Sequence, residues 1–304
     1  MIELNPVRRL DKLVQVNITQ GFDERFKEEV QDADPFFIYT HEAHADGIGV
    51  AVFGDHIQQL AKEAGRTPTI RGFVMPVAKS LVDGQQSRLL QASFHFFNFL
   101  VSRKGLKTYG FTREKDQIQF GMERTHNTSE LMPIGRKLQQ YYVPAVFAGG
   151  SVEAGRHDEG ADPESIHGLQ RLEGNDLLTL SRLVKTVNRG RKMFFVIVGL
   201  HGGFRLQSPN KSKLRPTREG LATYFGVPEK WIPHVQMEVN AGIIVPESEI
   251  AGRFGKNWIR AGKEGKKELV QEFNDYIMRY GASLIPPHAR GFYAGVGVED
   301  LAIG

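Results

Sequence analysis

The longest apolar run in the chain is Met193 to Leu200 (MFFVIVGL), bounded by Lys192 and His201. A helix that spans a bilayer needs about 20 apolar residues, so no span and no membrane partner are expected. An uninterrupted apolar run of roughly four to eight residues between polar breaks reads as a strand buried on both faces. The chain is therefore expected to build its core around a covered sheet.

Other segments follow the same logic. Val14–Ile18 alternates apolar and polar residues, as a strand with one buried face does. Phe36–Tyr39 behind Pro35, Ile70–Val77 interrupted by Pro76, Tyr141–Phe147 and Val235–Val245 read as further strands, and Gly110–Gln119 alternates weakly. Helical spacing appears in Asp23–Val30, His56–Ala64 before Gly65, Gln85–Val101 before Gly105, Asn175–Val187, Thr217–Phe225 and Lys266–Tyr280 before Gly281. Gly47–Phe53 is apolar and β-branched, and fits a strand or the start of a helix. Strands and helices mix without strict βαβ alternation. This leads to an α+β fold, a mixed or antiparallel sheet with packed helices, with which a ferredoxin-like core is compatible.

Three parts are expected. Residues 1–150 form an α+β core part. Residues 151–176, rich in acids, glycine and proline, read as a flexible acidic loop or insertion. Residues 177–304 form a basic α+β part continuous with the first core. The chain has no cysteine, which excludes disulfides, zinc–thiolate sites, iron–sulfur clusters and a cysteine nucleophile. With a polar stretch from Met1 to Arg9 in place of a secretory apolar segment, a cytoplasmic location is expected.

The formal net charge is +4, and the charge is unevenly distributed. Between Leu177 and Arg218 there is no Asp or Glu, while ten Lys and Arg residues fall in that interval. Such asymmetry can raise potentials of several kT over one face. The residues nominated for polyanion binding are Arg189, Arg191, Lys192, Arg205, Lys211, Lys213, Arg215 and Arg218. Phe204, Tyr109, Phe111 and Trp258 are candidates to stack on unpaired bases. The functional expectation is a non-catalytic protein that binds nucleic acid, RNA or single-stranded DNA, through basic glycine-containing loops. It would act as a homo-oligomer or as a repeated subunit of a ribonucleoprotein-type complex, and no cofactor is expected.

Two alternatives stand beside it. Thr40-His41-Glu42-Ala43-His44-Ala45-Asp46-Gly47 follows a buried strand and offers His41, His44 and Asp46 as ligands of a metal-dependent hydrolase. The other is a structural subunit whose basic segments meet an acidic patch such as Asp158–Asp176.

Several short stretches resemble known families. His41–Gly47 is similar to the first motif of metallo-β-lactamase-type hydrolases, although its histidines are three apart and Gly47 stands where a further histidine belongs. The same run is similar to the strand-end Asp motif of DHH phosphoesterases, without a downstream Asp-His-His. Asp83-Gly84-Gln85 resembles a turn of ParB-like nuclease folds, with Ser87 inserted before Arg88. Tyr141–Gly150, together with the basic glycine loop after Phe204, resembles the RNA-binding backbone subunit of CRISPR effector complexes, which implies a ferredoxin-like core and an RNA partner. Gly199–Arg205 would let exposed amides approach a phosphate after a buried strand.

Overall fold

The structure is a computed structural model. It describes residues 8–41, 45–78, 95, 98–111, 128–148, 168–169, 171–172, 174, 176–206, 216–261 and 266–295. The turn Asp83–Gln86, residues 151–167 of the acidic segment, and His44, Lys211, Lys213 and Arg215 lie outside the described residues.

In chain order the strands are β1 (Val14–Ile18), β2 (Ala33–Thr40), β3 (Gly72–Ala78), β4 (Leu106–Phe111), β5 (Tyr142–Ala148), β6 (Lys192–His201) and β7 (Met237–Pro246). The helices are α1 (Phe22–Asp32), α2 (Asp46–Glu63), α3 (Thr128–Gln139), α4 (Asp176–Val187), the single turn α5 (Gly203–Leu206), α6 (Arg218–Phe225), α7 (Glu247–Phe254) and α8 (Lys267–Ser283). A 3-10 turn, Arg8–Leu13, precedes β1.

The strands form one mixed sheet in the order β1-β7-β6-β2-β5-β3-β4. The α+β reading, a mixed sheet with packed helices, is what forms. The ferredoxin-like layer is not: that layer is antiparallel, whereas here only β6 and β7 pair antiparallel and the other five described pairings are parallel. The two halves of the chain interleave, since β6 pairs with β2 and β7 with β1.

Both faces of the sheet are covered. Phe37 and Tyr39 of β2, with Phe194, Val196, Val198 and Leu200 of β6, face a core closed by α1 and α2. Phe36, Ile38, Met193, Phe195 and Ile197 face a second core under α3, α4, α7 and α8. This is why Met193–Leu200 carries no polar alternation: every residue in it is buried. Helix α1 contributes Phe22, Phe26 and Val30, a four-residue spacing that puts all three on one stripe.

Three prolines sit inside strands, where each removes a donor. β2 pairs with β6 from Ala33 but with β5 only from Phe37, so Pro35 has a neighbour on one side. Pro76 lies past Val74, where the β3–β5 pairing ends, and Pro144 lies before the β2–β5 pairing begins at Ala145. Strand prolines are tolerated at such one-sided positions.

One open alternative is decided and one expectation changes. Gly47–Phe53 is helical and continuous with His56–Glu63 in α2. Its β-branched residues reflect burial, and its glycines reflect close approach. A Cβ on Gly54 would stand 2.6 Å from the Phe73 ring, and one on Gly49 would stand 2.8 Å from Met237. Helix α8 does not stop at Gly281 but runs through it to Ser283, because that glycine backs directly onto Thr40. Among the described residues no helix is long and apolar enough to cross a membrane.

Candidate active site at the carboxyl end of the sheet

Five strands, β2 to β6, run in the same direction, and their carboxyl ends share one edge of the sheet. From β2 the chain moves to α2 on one face. From β5 it moves to α4 on the other. The adjacent ends of β2 and β5 are therefore a point where the winding reverses, the crevice in which open sheets of this kind bind ligands.

His41 stands there. It directly follows β2, and its ring stacks on Phe147 of β5 with centroids 4.3 Å apart and planes 14° from parallel. Its Nδ1 is 3.0 Å from Oδ2 of Asp46, which is fully buried in the first turn of α2. The positive end of the helix favours a carboxylate at this place. With Asp46 as acceptor, Nδ1 donates and Nε2 carries the lone pair. A histidine oriented in this way takes a proton from a reacting hydroxyl.

The surrounding groups hold the histidine in place. Thr40, one residue earlier, is buried and its hydroxyl lies between β2 and β6, accepting from Leu200 N at 2.6 Å and donating to Leu200 O at 3.1 Å. Tyr39 is fully buried among Phe37, Phe53, Phe73 and Phe147. Burial pushes its phenol well above the usual range, and its hydroxyl has no hydrogen-bond partner among the described residues.

The sequence nominated His41, His44 and Asp46 as metal ligands. The structure brings His41 and Asp46 together as a hydrogen-bonded pair, and His44 lies outside the described residues. Among the described residues no group of three or more His, Asp or Glu side chains is placed to hold a metal ion.

The nominated basic residues separate. Arg189 and Arg191 precede β6 and Lys192 opens it, at the end of the sheet opposite His41, while Arg205 and Arg218 follow β6 on the same end as His41. The acid-free interval of sequence also acquires acids in space. Asp34 lies 3.7 Å from Arg191 and accepts from Asn188 at 2.7 Å, and Glu247 accepts from Lys185 at 2.7 Å and from Met193 N at 3.1 Å. Arg205 lies over the Phe204 ring, 5.7 Å from its centroid. The turn after β6 has its positive φ at Gly202 (81°), so Gly203 is free to open α5. Trp258 is not available to a base: it is 3% exposed and stacks on Phe273 at 5.1 Å.

Sequence reasoning missed Phe147 as the platform for His41, and missed the pairing itself. The signal was present in the spacing of a histidine that ends a strand and an Asp five residues on that opens a helix. Reading Gly47–Phe53 as helix would have exposed it. No protein-family model matches the chain, and no curated protein matches its sequence.

Proposed function

We propose that the chain is an enzyme in which the His41–Asp46 pair acts as general base, removing the proton of a hydroxyl that attacks an acyl carbonyl. The observation that carries this reading is the 3.0 Å contact from Nδ1 of His41 to a fully buried carboxylate, at the point where the sheet's winding reverses. Removing a hydroxyl proton for attack on a carbonyl is the task of a histidine held by a carboxylate. Phosphoryl transfer depends instead on cations around the phosphate. Among the described residues the ring stacked on His41 is that of Phe147, an apolar face that suits an acyl group. The chain has no cysteine, and no described serine is bonded to His41. In this proposal the attacking hydroxyl is that of water or an alcohol acceptor, and the reaction is acyl transfer or ester hydrolysis. Nε2 of His41 takes the hydroxyl proton as the carbonyl carbon gains the new C–O bond; the carbonyl's C–S or C–O bond to the leaving group then breaks, and the proton passes from Nε2 to the departing thiolate or alkoxide.

The test is turnover of acyl-coenzyme A thioesters from acetyl to palmitoyl, and of p-nitrophenyl esters, with and without glycerol as acceptor. His41→Ala is expected to lose about 10²–10⁴-fold in rate with an unchanged circular dichroism spectrum. Equal rates in wild type and His41→Ala would overturn the reading.

The polynucleotide reading is a second proposal. It is supported by Arg205, Phe204 and the exposed Arg218 at the same end of the sheet. Nucleic acid that co-purifies at low salt and is released at high salt is the outcome it requires.

A further inference from the structure

A chain in which no described helix can cross a membrane can still lie on a bilayer, and one surface of this protein has the composition for it. Arg218, Leu221 and Phe225 recur at helical spacing on α6, and all three are exposed while Gly220, Ala222 and Thr223 of the same helix are buried. Leu221 is 41% and Phe225 57% exposed. The loop after α6 is compact. Val227 N bonds to Ala222 O and Val235 N to Thr223 Oγ1, tying both loop ends to the helix, and the His234 ring contacts Val227 O at 2.6 Å. In this loop stands Trp231, at 68% the most exposed of the described large apolar side chains, flanked by the exposed Pro228 and Pro233.

Cations interleave with this apolar surface. Lys230 lies 5.6 Å from the Trp231 ring centroid, and Arg9 lies 5.8 Å from that of Phe225. Lys12 is exposed and reaches Gly226, and its carbonyl accepts from Gln236. Of the described acids near it in sequence, Asp11 is held by Lys104 at 2.7 Å, and Glu219 and Glu229 are outnumbered by Arg8, Arg9, Lys12, Arg218 and Lys230. Exposed Trp, Phe and Leu with Lys and Arg among them match the interfacial zone of an anionic bilayer, where the rings enter the headgroup layer and the cations meet lipid phosphates. A stacking platform for bases lines a groove, whereas here the ring is 68% exposed in the loop after α6.

We infer that this surface, formed by Leu221, Phe225 and Trp231 with Arg9, Lys12 and Lys230, docks on an anionic lipid bilayer. The patch lies at the same end of the sheet as His41, because β1 and β7 begin beside the end of β6. The inference deepens the proposed acyl chemistry, and rests on it only for its purpose: a docked bilayer would bring amphiphilic substrates to the end of the sheet where the dyad lies.

The test measures binding alone, so it stands or falls separately from the rate test on His41. Full-length protein is mixed with phosphatidylcholine vesicles with and without phosphatidylserine. Sedimentation and tryptophan emission are followed, Trp258 being buried and Trp231 the reporter. The expected result is co-sedimentation and a blue shift with phosphatidylserine vesicles, weakened by salt. Trp231→Ala/Phe225→Ala should weaken partitioning by more than about tenfold, as expected when two large apolar side chains stay in water. Lys230→Glu should weaken it by at least about fivefold, and His41→Ala should bind as wild type does. No shift with anionic vesicles, or equal binding by the double variant, would overturn the inference. So would a shift with an RNA oligonucleotide and none with vesicles, or a lipid-independent, concentration-dependent shift that marks a contact between copies.

Discussion

The side-chain hydroxyl of Thr40 occupies the gap between β2 and β6 just before His41, bonded to both the N–H and the carbonyl of Leu200. The regular β2–β6 pairing runs to Tyr39 and Val198, and one hydroxyl extends it by a residue. Thr40→Val keeps the shape and removes both bonds, leaving the Leu200 N–H buried without an acceptor. A cost of about 1–3 kcal/mol is expected in urea unfolding, with a fall in any His41-dependent rate, while Thr40→Ser stays near wild type. Equal stability of the Val and Ser variants would show that the hydroxyl does not hold the strands.

At the opposite end of the sheet Asp34 receives Arg66 from beyond α2. Arg66 also donates to Val30 O at 2.7 Å and Ala33 O at 2.9 Å. Both side chains are below a tenth exposed. Removing one partner of a buried pair strands a charge, so Asp34→Ala is expected to cost about 3–5 kcal/mol by chemical denaturation. The double variant Asp34→Leu/Arg66→Met should cost less than Asp34→Ala alone. A double variant worse than the single would locate the energy elsewhere than in the ion pair.

These two contacts mark what could and could not be read from the sequence. The strands β1 and β6 were legible because each answers to a local rule, alternation for one buried face and continuous apolarity for two. The second half of α2 was legible as well, but its first half stayed open between strand and helix, since Ile48, Val50 and Val52 carry strand-like propensity that tertiary packing overrides. His41 and Asp46 were both singled out, but as ligands, because their hydrogen bond depends on that helix starting at Asp46. The charge gap from Leu177 to Arg218 is partly met by acids that no local rule reveals. Its neutralising acids, Asp34 and Glu247, come from far along the chain, and pairing across that separation has no local signature.

Two helical glycines should respond to the same substitution with opposite signs. In α2, Gly54→Ala drives a methyl to 2.6 Å from Phe73, a buried ring with little room to retreat, and about 1–3 kcal/mol of destabilisation is expected. In α7, Gly252 is exposed and a Cβ there meets nothing within 4 Å. Gly252→Ala should raise stability by about 0.4–1 kcal/mol, through helix propensity and a less disordered unfolded chain. Thermal melts of the two variants check both signs.

The acid limb of stability should report on Asp275 of α8. Burial by itself raises its pKa, but hydrogen bonds from Arg171 at 2.7 Å, Gln271 at 2.9 Å and Tyr293 at 3.0 Å outweigh burial and hold the carboxyl below its ordinary value. A group with a depressed folded pKa contributes stability above its unfolded pKa, near 4, and loses that contribution as pH falls through the folded value. The protein is therefore expected to lose stability on acidification below about pH 4. The same contacts tie residues 171 and 293 to α8, so the loss should first loosen those segments. Asp275→Asn removes the titration. Its unfolding free energy should be lower than that of wild type at neutral pH, and the gap should narrow as acidification protonates Asp275, since the protonated carboxyl resembles the amide. A gap that stays constant from neutral pH to pH 3 would show that the three hydrogen bonds do not act through the ionised carboxylate.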